Sequence, residues 1–174
     1  MDSVLEILKY ILPSVVVFFT AYILVGKFLE ENKAQLAHEH RSKNQAAMNP
    51  LKLQAYERLI VFLERISPQQ LILNNDINGC TSAEAKYIFS EAIKAEYGHN
   101  LSQQIYVSPQ LWSLVKVVKE EVLAFVNTSE EATGEGASSV ELCKVMVNRL
   151  IEQNEQPTQK AIDFLKSEVK LYFS

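Results

Sequence analysis

The sequence predicts an all-α protein: an N-terminal transmembrane helix, a polar stalk, and a small cytosolic bundle of about five helices. Three observations predict this. Residues 10–26, YILPSVVVFFTAYILVG, contain no charged side chain. Beyond residue 50, apolar residues recur at helical spacing between Pro, Gly and Ser/Thr punctuation, the pattern of helices that each bury one face. No run alternates polar and apolar residues for long enough to build a sheet.

The uncharged run is seventeen residues long and is bracketed by Lys9 and Lys27. As a helix it measures about 26 Å at 1.5 Å per residue, slightly under the ~30 Å hydrocarbon core. The two lysines supply the difference by extending their ammonium groups to the headgroups, with Tyr10 and Tyr22 at the interfaces. A secretory signal would begin with basic residues, whereas this chain begins Met-Asp-Ser with Glu6 following. An interfacial helix would carry a polar face, which residues 10–26 lack. Lys27, Lys33, Arg41, Lys43 and Lys52 follow the run while Lys9 precedes it, so the excess of bases places the carboxyl side in the cytosol. The predicted anchor is therefore 1–28, contacting the bilayer through 10–26, with the N-terminus outside.

Residues 29–49 have no Gly or Pro and no apolar stripe, the composition of a solvated helical stalk or linker. His38 and His40 lie here about 200° apart on a helix, a poor arrangement for one metal ion. Pro50 opens the bundle, 50–174. Helices are expected at about 51–66, 82–107, 109–127, 139–153 and 157–172. Ala55, Leu59, Phe62 and Ile66 line the first, which Pro68 stops. Thr81 with Glu84, and Ser138 with Glu141, stand at capping-box spacing. Ser108-Pro109 marks another start. Val140, Cys143, Met146, Val147, Leu150 and Ile151 form the expected buried face of the fourth helix. Ala161, Ile162, Leu165, Val169 and Tyr172 form that of the fifth.

One polar cluster sits where apolar residues belong. With Ala85 set at zero and 100° per residue, Phe89 and Ala92 define the buried direction of the second helix. Continued straight, that helix puts Glu96, His99, Asn100 and Gln103 at about 20°, 320°, 60° and 0°, on the same face. Buried polar groups need partners. Arg58 or Arg65 could pair with Glu96, and Asn100, Gln103, Tyr106 and the Trp112 indole could complete a network. The same residues alternatively form a polar surface that binds another protein. Two chemical readings are weaker. Glu96-x-x-His99 has the spacing used in carboxylate-bridged metal bundles, but no second such pair follows. Glu96 could orient His99 for acid–base catalysis, but no phosphate loop or nucleophile motif accompanies them. No catalytic residue, metal ligand or cofactor is therefore assigned.

Composition narrows the function classes further. The 174 residues are 48% hydrophobic and 22% charged, with a net charge of −4 and five glycines, which excludes a disordered chain and a nucleic-acid binder relying on bulk basicity. The two cysteines, Cys80 and Cys143, lack metal-ligand spacing and read as thiols in a reducing compartment.

At LQAYERLIVFLERI (53–66) and EYGHNLSQQIYVSPQLW (96–112), the sequence resembles a family of uncharacterised Bacteroidota proteins with one N-terminal span and a short cytosolic helical region. The resemblance implies a bacterial inner-membrane location and singles out Tyr56, Glu57, Arg58, Glu96, His99, Asn100, Gln103 and Gln104. It carries no activity. The expected role is a membrane-anchored adaptor, scaffold or accessory subunit binding an unidentified protein at the cytosolic face. The alternatives are a tethered enzyme or metal-binding protein using Glu96 and His99, and a self-associating structural subunit.

Overall fold

A computed structural model describes the backbone of residues 2–153 and 156–173, and the side chains of most of them from Val15 onward. It is all-α. The elements are α1 (Asp2–Arg65), α2 (Pro68–Asn74), α3 (Ser82–Asn100), a 3-10 turn (Leu101–Ile105), α4 (Pro109–Glu131), α5 (Ser139–Gln153) and α6 (Gln159–Phe173). The chain divides into two compact units, Met1–Asn49 and Pro50–Ser174.

In the first unit, side chains from Val15 to Leu29 are exposed on every face of α1, among them Phe18, Phe19, Tyr22 and Leu24. Thr20 Oγ1 donates to the Val16 carbonyl at 2.8 Å, so its hydroxyl is satisfied within the helix. Among the described residues no helix is long and apolar enough to cross a membrane. The expected spanning helix thus finds no support there; Lys9, Tyr10 and residues 11–14 of the uncharged run lie outside the described side chains, as do those of His38 and His40.

Pro50 does not restart the chain as expected. Helical backbone continues through it, although the boundary between the two units falls there. Proline removes the hydrogen bond to the carbonyl of Ala46. Residues 45–50 are exposed, so water can take that carbonyl.

The second unit is the bundle. Its core takes Tyr56, Leu59, Phe62, Leu63 and Ile66 from α1, Ala85, Phe89 and Ile93 from α3, and Leu111, Trp112, Val115, Val118, Val122, Phe125 and Val126 from α4. α4 is the central helix, packing against α3, α5 and α6. Leu142 and Met146 enter from α5, and Ala161, Ile162 and Leu165 from α6.

Both expected capping boxes form. Thr81 N–H donates to Glu84 Oε2 at 2.8 Å and Ser138 N–H to Glu141 Oε2 at 2.8 Å. The two helix starts also lie side by side: Ser82 N–H donates to the Ala137 carbonyl at 2.8 Å and Ser139 N–H to the Cys80 carbonyl at 3.0 Å. A single bridge, Thr81 to Ser138, results. Gly79, at φ 75°, lets the chain turn into it.

Further expectations need correction, among them the placing of Tyr172 on the buried face of α6, where it is exposed. The loop after Pro68 contains a further helix, α2, whose first turn is capped by Ser67; the proline that stops α1 occupies the N-terminal position where its missing N–H costs nothing. The helix expected to reach residue 107 leaves α geometry at Asn100, tightening into the 3-10 turn. α4 runs four residues past 127, to Glu131. On α5 the buried face is Leu142 and Met146, whereas Val140, Val147 and Ile151 are exposed.

Candidate functional site

The last turns of α3 face the C-terminal part of α1 across an open cavity of about 270 Å³. From α1 come Glu57, Arg58, Val61, Phe62 and Arg65; from α3 come Glu96, His99 and Asn100. Phe62 is fully buried, while Glu57, Arg58, Val61 and His99 are exposed. The cleft therefore has an apolar base and a rim carrying both signs of charge.

One side-chain bond crosses it. Arg65 Nη1 donates to Glu96 Oε1 at 2.9 Å, with Arg65 59% and Glu96 26% exposed. At that exposure solvent screens the pair, and it contributes about 1 kcal/mol at most. The other members of the expected network bond locally. Asn100 Nδ2 donates to the Glu96 carbonyl at 2.8 Å, Gln103 Nε2 to the Ser102 hydroxyl at 3.1 Å, and Gln104 Nε2 to the Leu101 carbonyl at 2.9 Å. Asn100 and Gln103 are buried as the straight-helix arithmetic expects, but His99 is not. The residues opposite His99 are the solvated part of α1, so the cleft leaves it open to water.

Trp112 belongs to a different grouping. Tyr97 stacks on its indole with ring centroids 5.7 Å apart, Phe62 approaches Tyr97 at 6.2 Å, and Lys119 Nζ lies 4.7 Å from the Tyr97 centroid. This stack joins α1, α3 and α4 beneath the cleft. Tyr106 is half-buried after the 3-10 turn and lies outside the cleft lining.

Tyr56, flagged by its motif, sits elsewhere again. Its hydroxyl donates to Glu168 Oε1 at 2.7 Å. Glu168 is 7% exposed and also accepts from Ser108 N–H at 3.2 Å and Ser108 Oγ at 2.6 Å. Ser108 Oγ in turn caps α4 by accepting from Leu111 N–H at 3.0 Å. One buried carboxylate thus ties α1, α4 and α6 together. Burial, and then the adjoining carboxylate, push the Tyr56 phenol far above its usual range. Sequence reasoning missed Glu168, although a signal existed: it stands seven residues after Ala161 and three after Leu165, on the core-facing side of α6.

The cleft sets charged, polar and apolar side chains side by side. Glu96 is engaged by Arg65, so it is not dedicated to orienting His99. Among the described residues no group of three or more His, Cys, Asp or Glu is placed to hold a metal ion. Cys80 and Cys143 are free thiols, both half-buried, and burial raises the Cys143 pKa, which disfavours the reactive thiolate.

A protein family described as one of unknown function matches residues 2–172 of the chain. No curated protein matches it, and no solved structure does.

Proposed function

We propose, for a chain that belongs to the family of unknown function DUF7935, that it is a membrane-anchored adaptor whose helical bundle binds another protein on the cytosolic side of a bacterial inner membrane. The observation that carries the binding role is the open cleft between α1 and α3. Its exposed Val61 offers an apolar contact, and Arg58 and Glu57, with the polar His99 beside them, surround that contact with groups able to select a partner. The cleft is concave beside His99, as an enzyme would require, but the pairing of Glu96 with Arg65 favours docking over acid–base work.

Support for the anchor comes from the uncharged run 10–26 between Lys9 and Lys27. The all-round exposure of large apolar side chains from Val15 to Leu29 adds to it, since water is a poor solvent for such a surface. The excess of bases after the run favours an external N-terminus.

The test is co-purification from gently solubilised native membranes with the full chain, the variants Arg58→Glu and His99→Ala, and a control carrying residues 1–50. Both substitutions are at exposed positions and should leave stability within about 0.5 kcal/mol. The expected result is a partner recovered near one-to-one by the full chain and lost with Arg58→Glu. Equal recovery by the variants, or by the control, contradicts the cleft as the docking site.

A further inference from the structure

A larger cavity, of about 440 Å³, opens where α4 and α5 meet the chain entering α6. Phe125, Thr128, Arg149 and Pro157 contribute to its lining, together with Glu121 and Lys160. Arg149 is distinguished by how firmly it is held. Its Nη1 donates to Thr128 Oγ1 at 2.9 Å and to Ser129 Oγ at 3.0 Å. The guanidinium carbon lies 5.3 Å from the centroid of the Phe125 ring, within cation–π range. Thr128 sends its own hydroxyl proton to the Ala124 carbonyl at 2.9 Å, which leaves its lone pairs to accept from arginine. Ser129 is fully buried.

This arrangement uses both N–H groups of Nη1. Nε and Nη2 have no partner among the described residues, and together they make a planar two-donor fork matched to a carboxylate. The side chain has already lost its rotamer freedom, so a ligand need not supply that ordering. The exposed Ala124 and the half-buried Pro157 add an apolar wall.

We propose that this cleft binds a small monocarboxylate with an apolar body, its carboxylate on the Nε–Nη2 edge of Arg149 and its body against Ala124 and Pro157. The site is separate from the α1–α3 cleft and does not depend on the adaptor reading. Neutral analogues lack the charge that the fork recognises. Compact polyanions such as phosphate lack the body that the apolar wall covers.

The probe is benzoate, titrated calorimetrically into the full chain in detergent, with benzamide and inorganic phosphate titrated alongside. Benzoate is expected to bind at least tenfold more tightly than either. Arg149→Lys, which keeps the charge but not the fork, is expected to weaken benzoate at least tenfold while circular dichroism reports an unchanged helical fold. Equal binding of benzoate and benzamide to the unaltered chain would overturn the proposal, whatever becomes of the variant's fold. So would unchanged benzoate affinity in folded Arg149→Lys, phosphate binding as tight as benzoate, or no benzoate binding.

Discussion

Glu168 shows most plainly how a single residue holds this bundle together. Its carboxylate is buried and satisfied by Tyr56 and by both polar groups of Ser108. Glu168→Ala would strand those donors, and the expected loss is about 2–4 kcal/mol of unfolding free energy in urea. Tyr56→Phe removes the bond to Glu168 and should cost about 1–2 kcal/mol. The phenol's folded-state pKa lies above its unfolded value of 10.0, so this contribution is complete below about pH 10 and declines as pH rises further. Unfolding measured from pH 8 upward should show alkaline destabilisation that Tyr56→Phe lessens; identical pH profiles would count against the bond. Tyr56 is legible as a motif position, whereas Glu168 is marked only by its register with Ala161 and Leu165, because a glutamate reads as solvent-facing until its partners are known. On α6 the apolar stripe predicts Tyr172 in the core, yet it is 55% exposed and lies under Lys52 Nζ at 5.2 Å.

At the scale of elements, local signals decide the structure wherever the chain itself satisfies its own backbone. The capping boxes at Thr81 and Ser138 are of this kind, since Ser/Thr and Glu three residues apart close the box without help from elsewhere. Thr81→Ala should cost about 1 kcal/mol, read as a lowered midpoint in thermal unfolding. Signals whose meaning depends on tertiary packing are ambiguous in the sequence. Pro50 lies in a helix that tolerates it because water reaches the freed carbonyl, and α2 follows a proline that looked only like a stop. α5 carries apolar residues on more than one face, so periodicity alone did not choose between Leu142 and Ile151. The packing does choose: Leu142→Ala should cost about 2–5 kcal/mol, whereas Ile151→Ala, at a position 69% exposed, should stay within about 0.5 kcal/mol. Comparable losses at the two positions would contradict the orientation of α5.

Across the whole molecule, the helical class was legible because every long apolar pattern beyond residue 50 has the helical period. The polar cluster was legible as an anomaly but not as a shape. Straight-helix arithmetic placed Asn100 and Gln103 correctly inward, and it could not foresee that α1 opposes His99 with its solvated side. What reads as one network is two arrangements that share Phe62, the Arg65–Glu96 cleft and the Tyr97–Trp112 stack, while the motif residue Tyr56 belongs to a third, its tie with Glu168 and Ser108. The adaptor account joins the open cleft to an anchor that would hold it at a membrane surface. The anchor is the central claim, and carbonate extraction of membranes from cells producing the full chain tests it most directly. The account predicts that the chain stays in the alkaline-washed membrane pellet, as an integral span does. Release of the chain into the carbonate supernatant would contradict it.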